Sequence, residues 1–160
     1  MKTLFLLPIL LLSLLSISCW GADFQKGFDA YQSGDYATAL REWRPLAEQG
    51  FAPAQSNLGL LYDNGRGVSQ DDKIAVKWYT LAAEQGINNA QGNLGVLYAN
   101  GEGVPKSNVY AHMWGNIASS NGNEDGGGLR DFVAKNMTPS QIEKAQKLAR
   151  ECVAKDYKGC

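Results

Sequence analysis

The chain has 160 residues, with 15 lysines and arginines against 16 aspartates and glutamates, for a formal net charge of −1. This balance excludes the basic surface by which proteins displace counterions from nucleic acid. One histidine and three cysteines are too few to suggest a zinc centre, and no cofactor or metal is expected.

Lys2 precedes an apolar run from Leu4 to Ile17, shorter than the roughly 20 residues a membrane-spanning helix needs. Together with the small residues after it, the run reads as a secretory signal peptide over residues 1–21, cleaved between Gly21 and Ala22. Lipidation of Cys19 within Leu15-Ser16-Ile17-Ser18-Cys19 is the alternative, and would make the chain a lipid-anchored structural protein. Residues 22–160 then form one domain, located in the periplasm or secreted. Lys2 leaves with the signal, so 14 basic side chains face 16 acidic ones in 139 residues. Cys152 and Cys160 remain as an even set, which in an exported chain favours one disulfide over two free thiols.

The first helical hairpin covers about residues 23–50. Its turn is abbreviated: Tyr31 and Gly34 match Tyr62 and Gly65 at an offset of 31, whereas Asp35 onward matches at 36. Asp35, Asp71 and Ser107, each 36 apart, are good N-caps, and Gly50, Gly86 and Gly122 repeat the spacing at the helix ends. Pro45 lies inside the second helix.

Between Ala54 and Val104 one stretch occurs twice. Ala54-Gln55-Ser56-Asn57-Leu58-Gly59-Leu60-Leu61-Tyr62-Asp63-Asn64-Gly65-Arg66-Gly67-Val68 returns 36 residues on as Ala90 to Val104. A fixed period of this size marks a solenoid of stacked units, here hairpins at about 51–86 and 87–122. Leu58, Leu61 and Tyr62 share a helix face, as do Leu94, Leu97 and Tyr98. Gly59 and Gly95 cost about 1 kcal/mol each inside a helix and so imply close helix contacts. In the second helix of each pair, Ala39, Ala75 and Ala111 align; Trp78 aligns with Trp114, leaving Trp43 one position out of phase, and Trp78 is expected in the core. The third unit departs from the pattern at Gly115, Ser119 and Ser120. A cap over 123–160 follows, with Gly126 to Gly128 as a flexible entry to a short helix. Thr138-Pro139-Ser140-Gln141 is a capping box opening the last helix, expected to end near Lys155. The fold class is all-α: an α/α solenoid of about eight helices in four hairpins.

The doubled block, followed by Ala75-x-x-Trp78-Tyr79-x-x-Ala82-Ala83-Glu84-Gln85-Gly86, resembles the Sel-one-like repeat (SLR) family, a branch of the tetratricopeptide-type helical repeats. The resemblance covers Phe24 to about Gly122, and the ending from Met137 to Cys160 is similar to the tail of small exported bacterial members. It implies a solenoid that binds a protein or peptide partner, and it supports the bridge between Cys152 and Cys160. By analogy with related repeats, the first helix of each hairpin faces the concave side, exposing Ser56, Leu60, Asp63, Gly92, Val96 and Ala99 as the candidate binding face. No nucleic acid and no membrane span are expected.

No catalytic residues are expected. His112 aligns with Leu40 and Val76 and reads as a packed side chain with one satisfied nitrogen. Nothing marks a set of Ser107, His112 and a distant acid as nucleophilic. Gly65-Arg66-Gly67 and Gly101-Glu102-Gly103 lack the lysine and hydroxyl of a nucleotide loop and follow no strand. Asp71-Asp72 and Glu124-Asp125 read as helix-start residues. The alternative class is an enzyme acting on cell-wall or β-lactam substrates, since some cysteine-rich relatives are associated with penicillin binding.

Overall fold

The structure is a computed structural model, and residues 22–160 are described; the proposed signal peptide, Cys19 included, lies outside them. These residues form eight helices: α1 (Phe24–Gln32), α2 (Tyr36–Glu48), α3 (Ala52–Asn64), α4 (Asp72–Ala83), α5 (Asn88–Asn100), α6 (Asn108–Ser120), α7 (Gly126–Ala134) and α8 (Pro139–Ala154). Each of α1 to α6 packs on its successor, α8 packs back on α6, and the first helices of the units also meet, α3 on α5 and α5 on α7. The result is the expected all-α solenoid.

Local chemistry sets the helix starts. Asp35, Asp71 and Ser107 accept the backbone amides of Thr38, Ile74 and Tyr110, supplying partners for first-turn donors that the helix leaves free. Thr138 and Gln141 exchange both bonds of the capping box. The α1–α2 connection is short, only residues 33–35, against residues 65–71 between α3 and α4. Helix α2 runs through Pro45 without interruption.

The glycine-rich turns make the units stack. Gly67 and Gly103 both have left-handed φ, 71° and 68°, and each lies against the first residue of the second helix in the preceding hairpin. A Cβ on Gly67 would come within 2.8 Å of Tyr36 O, and one on Gly103 within 2.4 Å of Asp72 O. Both the torsion and the contact demand glycine.

The aromatic register differs from the expected one. Trp43 is in phase with Tyr79, and both are buried; Trp78 is half-buried beside Lys77, whose ammonium stands 5.3 Å from its ring centroid. Trp43 and Tyr79 fill the spaces over Gly27 and Gly59. In the third unit this position is Gly115, and α7 enters instead: Leu129 covers Gly95, and a Cβ on Gly126 would meet Gly115 O at 2.7 Å. Gly126 to Gly128, expected as a flexible entry, therefore form the first turn of α7. The fourth helix pair also departs from the other three. Both α7 and α8 pack on α6, and they scarcely meet one another.

Buried polar groups join the units by a repeated relay. The amide of Gln55 donates to Ala47 O and receives Gln85; 36 residues later, Gln91 donates to Ala83 O and receives Asn121. Asn121 Oδ1 in turn accepts the hydroxyl of Tyr157 at 3.1 Å. Cys152 and Cys160 are bonded, and the turn they close carries Tyr157 across Gly86 and the Gly159 amide to Glu84.

Candidate functional site

Helices α3 and α5 and the start of α7 line a groove. Over α3 and α5 it is a depression of about 290 Å³ bounded by Ser56, Asn57, Leu60, Asn89, Asn93, Asn123 and Asp125. It continues over Gly92, Val96 and Leu129 onto α7. Four of the candidate binding residues, Ser56, Leu60, Gly92 and Val96, thus come together. Asp63 and Ala99 are not among the lining residues.

The period explains the side chains that define this surface. Asn57 and Asn93 are 36 residues apart and occupy equivalent positions on α3 and α5. Asn123 Nδ2 donates to Asn89 Oδ1 at 3.0 Å, and its own Oδ1, pressed over Gly92, has no donor among the described residues. These asparagines and Asp125 are absent from the sequence-based candidate face. The repeated Asn57 and Asn93 were the available signal; Asn123 and Asp125 follow the last full unit, where the period no longer reports. Asp125 is the residue before α7, but its exposed carboxylate makes no capping bond.

Beside the groove, the Tyr79 hydroxyl passes Gly59 and donates to Asp63 Oδ2 at 3.2 Å. Burial holds the Asp63 carboxyl above the usual carboxylate range despite this bond, with Asp72 and Glu102 adding to the effect. Burial also raises Tyr79, reinforced by the Asp63 charge. Asp63 thus ties α3 to α4 across the hairpin.

His112 is 3% exposed, and its Nδ1 has no hydrogen-bond partner among the described residues. Burial, and then the Arg130 charge, hold the imidazole below its ordinary value against the opposing pull of Asp131. Ser107 is spent on capping α6. Five residues along one helix place it about 140° around the axis from His112, so the two do not form a nucleophile–base pair. Among the described residues no three His, Cys, Asp or Glu side chains gather as metal ligands.

The sequence profile of the Sel1 repeat matches residues 52–87 and 88–123, covering α3 to α6 and the asparagine pair. The chain carries two Sel1 repeats. Each repeat spans two successive helices, α3 with α4 and α5 with α6. Among solved structures, this Sel1-repeat chain is similar to c5321, a protective antigen of uropathogenic Escherichia coli strains displaying an SLR fold. That match has a TM-score of 0.78 and 32% identity, over 82% of this chain and 29% of the other. It is also similar to a Sel1 repeat protein from Oxalobacter formigenes, with TM-score 0.59 and 36% identity over 62% of this chain and 39% of the other. Over 57 residues it is 39% identical to an exopolysaccharide production negative regulator from Rhizobium leguminosarum bv. viciae, spanning 36% of this chain and 21% of that protein. The chain thus spans well under half the length of each of these relatives.

Proposed function

We propose that this Sel1-repeat chain is an exported interaction module of the cell envelope that holds a protein or peptide partner in the groove over α3, α5 and α7. Sel1 repeats are generally protein-interaction modules. The observation that carries the reading is the groove itself, a shaped surface with hydrogen-bonding side chains repeated at the structural period. Export is supported by the apolar run behind Lys2 and by the bond between Cys152 and Cys160, a pairing that persists in oxidising compartments. No helix among the described residues is long and apolar enough to cross a membrane.

Site-specific photo-crosslinking in living cells tests the binding face. A crosslinker at Leu60 or Val96 should capture one partner that the same group at Lys144, on the exposed side of α8, does not. Equal capture from both sites would refute the groove as the interface. Intact mass of the protein from an envelope fraction tests export: a chain starting at Ala22 is expected, and one starting at an acylated Cys19 would establish the lipid anchor instead.

A further inference from the structure

The groove's chemistry narrows its occupant, on the reading that it is the binding face. A carboxamide offers two donors and an acceptor, the complement of a peptide group's C=O and N–H. Asn57 is half-buried in the groove wall, and Asn93 stands one unit along. Asn89 accepts from Asn123 and retains both of its own donors. No lysine or arginine lines either section of the groove, whereas Asp125 presents a carboxylate that forms neither a cap nor an ion pair among the described residues.

Dimensions agree with an extended chain. Packed helices lie about 8–10 Å apart. A polyproline-II segment advances about 9 Å in its three-residue turn and leaves its peptide groups unpaired. Successive helices can therefore meet the same edge of such a segment once per turn. An amphipathic helix would need a continuous apolar stripe, which the carboxamides interrupt. An acidic segment would be opposed by Asp125.

We infer that the groove takes an extended polypeptide segment, gripped through its peptide groups by Asn57 and Asn93, with a lysine or arginine side chain paired to Asp125. This rests on the function proposed above and specifies its partner.

The test is a positional-scanning library of nonapeptides, acetylated and amidated so that terminal charges are absent, read by fluorescence polarisation against the oxidised chain. Lysine or arginine should be enriched at one position. Asp125→Asn should weaken the best peptide about two- to five-fold, as expected for an exposed ion pair, and flatten its salt dependence. Asn57→Leu with Asn93→Leu should weaken it roughly ten-fold or more, the loss of two net hydrogen bonds. N-methylation of the contacting peptide groups should mimic that loss, and this arm requires no protein variant. Both variants should keep the wild-type helical circular dichroism. Acidic or amphipathic helical peptides whose binding still depends on the asparagine pair would overturn the extended cationic partner while leaving the groove as the binding face. Absence of binding, or binding indifferent to the asparagine pair, would overturn the partner and the binding face together.

Discussion

The ring of Tyr79 fills the space that a side chain on Gly59 would need: a Cβ there would lie 2.7 Å from Tyr79 Cδ1. Gly59→Ala should therefore destabilise the chain by about 1–3 kcal/mol through overpacking, even though alanine is the better helix former by about 1 kcal/mol. Gly128 is the control. A Cβ at Gly128 meets nothing within 4 Å, so Gly128→Ala in α7 should stabilise by about 0.5–1 kcal/mol. Chemical denaturation of the two variants should give opposite signs.

Truncating the aromatics should separate the two neighbours on α4. Tyr79 is fully buried, and Tyr79→Ala should cost about 3–5 kcal/mol, as for other large core aromatics. Trp78→Ala removes a half-buried ring and should cost about 1–2 kcal/mol, since only part of its apolar surface leaves water. The reverse order would restore Trp78 to the core and contradict the observed register.

The amide relay predicts a different contrast. Gln91→Leu leaves Ala83 O and the Asn121 amide without their partner, at a cost of about 1–3 kcal/mol. Gln146 is exposed on α8 and takes no part in the relay, and Gln146→Leu should change stability by less than about 0.5 kcal/mol. Similar melting temperatures for the two variants would show that the buried relay contributes nothing specific.

Reduction of the disulfide should cost about 2.5 kcal/mol on the chain-entropy account of a nine-residue loop. Tyr157→Phe should cost about 1 kcal/mol in the oxidised chain. Its effect should vanish once the bridge is reduced, because the ring then leaves Asn121. A double-mutant cycle with Cys160→Ser measures this coupling, and additivity of the two changes would show that the bridge does not position Tyr157.

Stability should also depend on pH through His112. Its folded-state affinity for protons is below that of the unfolded chain, where imidazole titrates near 6.5. The contribution is full above that value and is lost as pH falls below it, because the unfolded chain takes up the proton first. His112 is the chain's one histidine, so His112→Gln should flatten the fall in melting temperature between pH 7.5 and 5.5. An unchanged slope in the variant would remove His112 as its cause.

Features set within a few residues were legible in the sequence. The caps at Asp35, Asp71, Ser107 and Thr138 each bond an amide three residues on, so type and position suffice. The 36-residue period likewise made the stacked hairpins legible, together with the glycines that separate them. Tertiary placement was not. Matching Trp78 to Trp114 hid the register in which Tyr79 succeeds Trp43. Three consecutive glycines read as a linker, although close packing of Gly126 on Gly115 holds them in a helix. The groove is legible in part, since Ser56, Leu60, Gly92 and Val96 lie within the repeats. Asn123 and Asp125 reach it only because α7 crosses α6 and α5 where the period has ended.

The bond between Cys152 and Cys160 also determines how the molecule would carry tension. A pull applied at Cys160 bypasses residues 153–159, because the covalent link delivers it directly to Cys152. That residue is 2% exposed and packed in the same core cluster as Leu94, Met113, Trp114 and Ile117. The load therefore enters at a side chain anchored in the main core, and Cys152 must leave that core before the rest of α8 can peel. In the reduced chain the same pull would first straighten the terminal turn, lift Tyr157 from Asn121 and then peel α8, a sequence of small yields in place of one abrupt rupture.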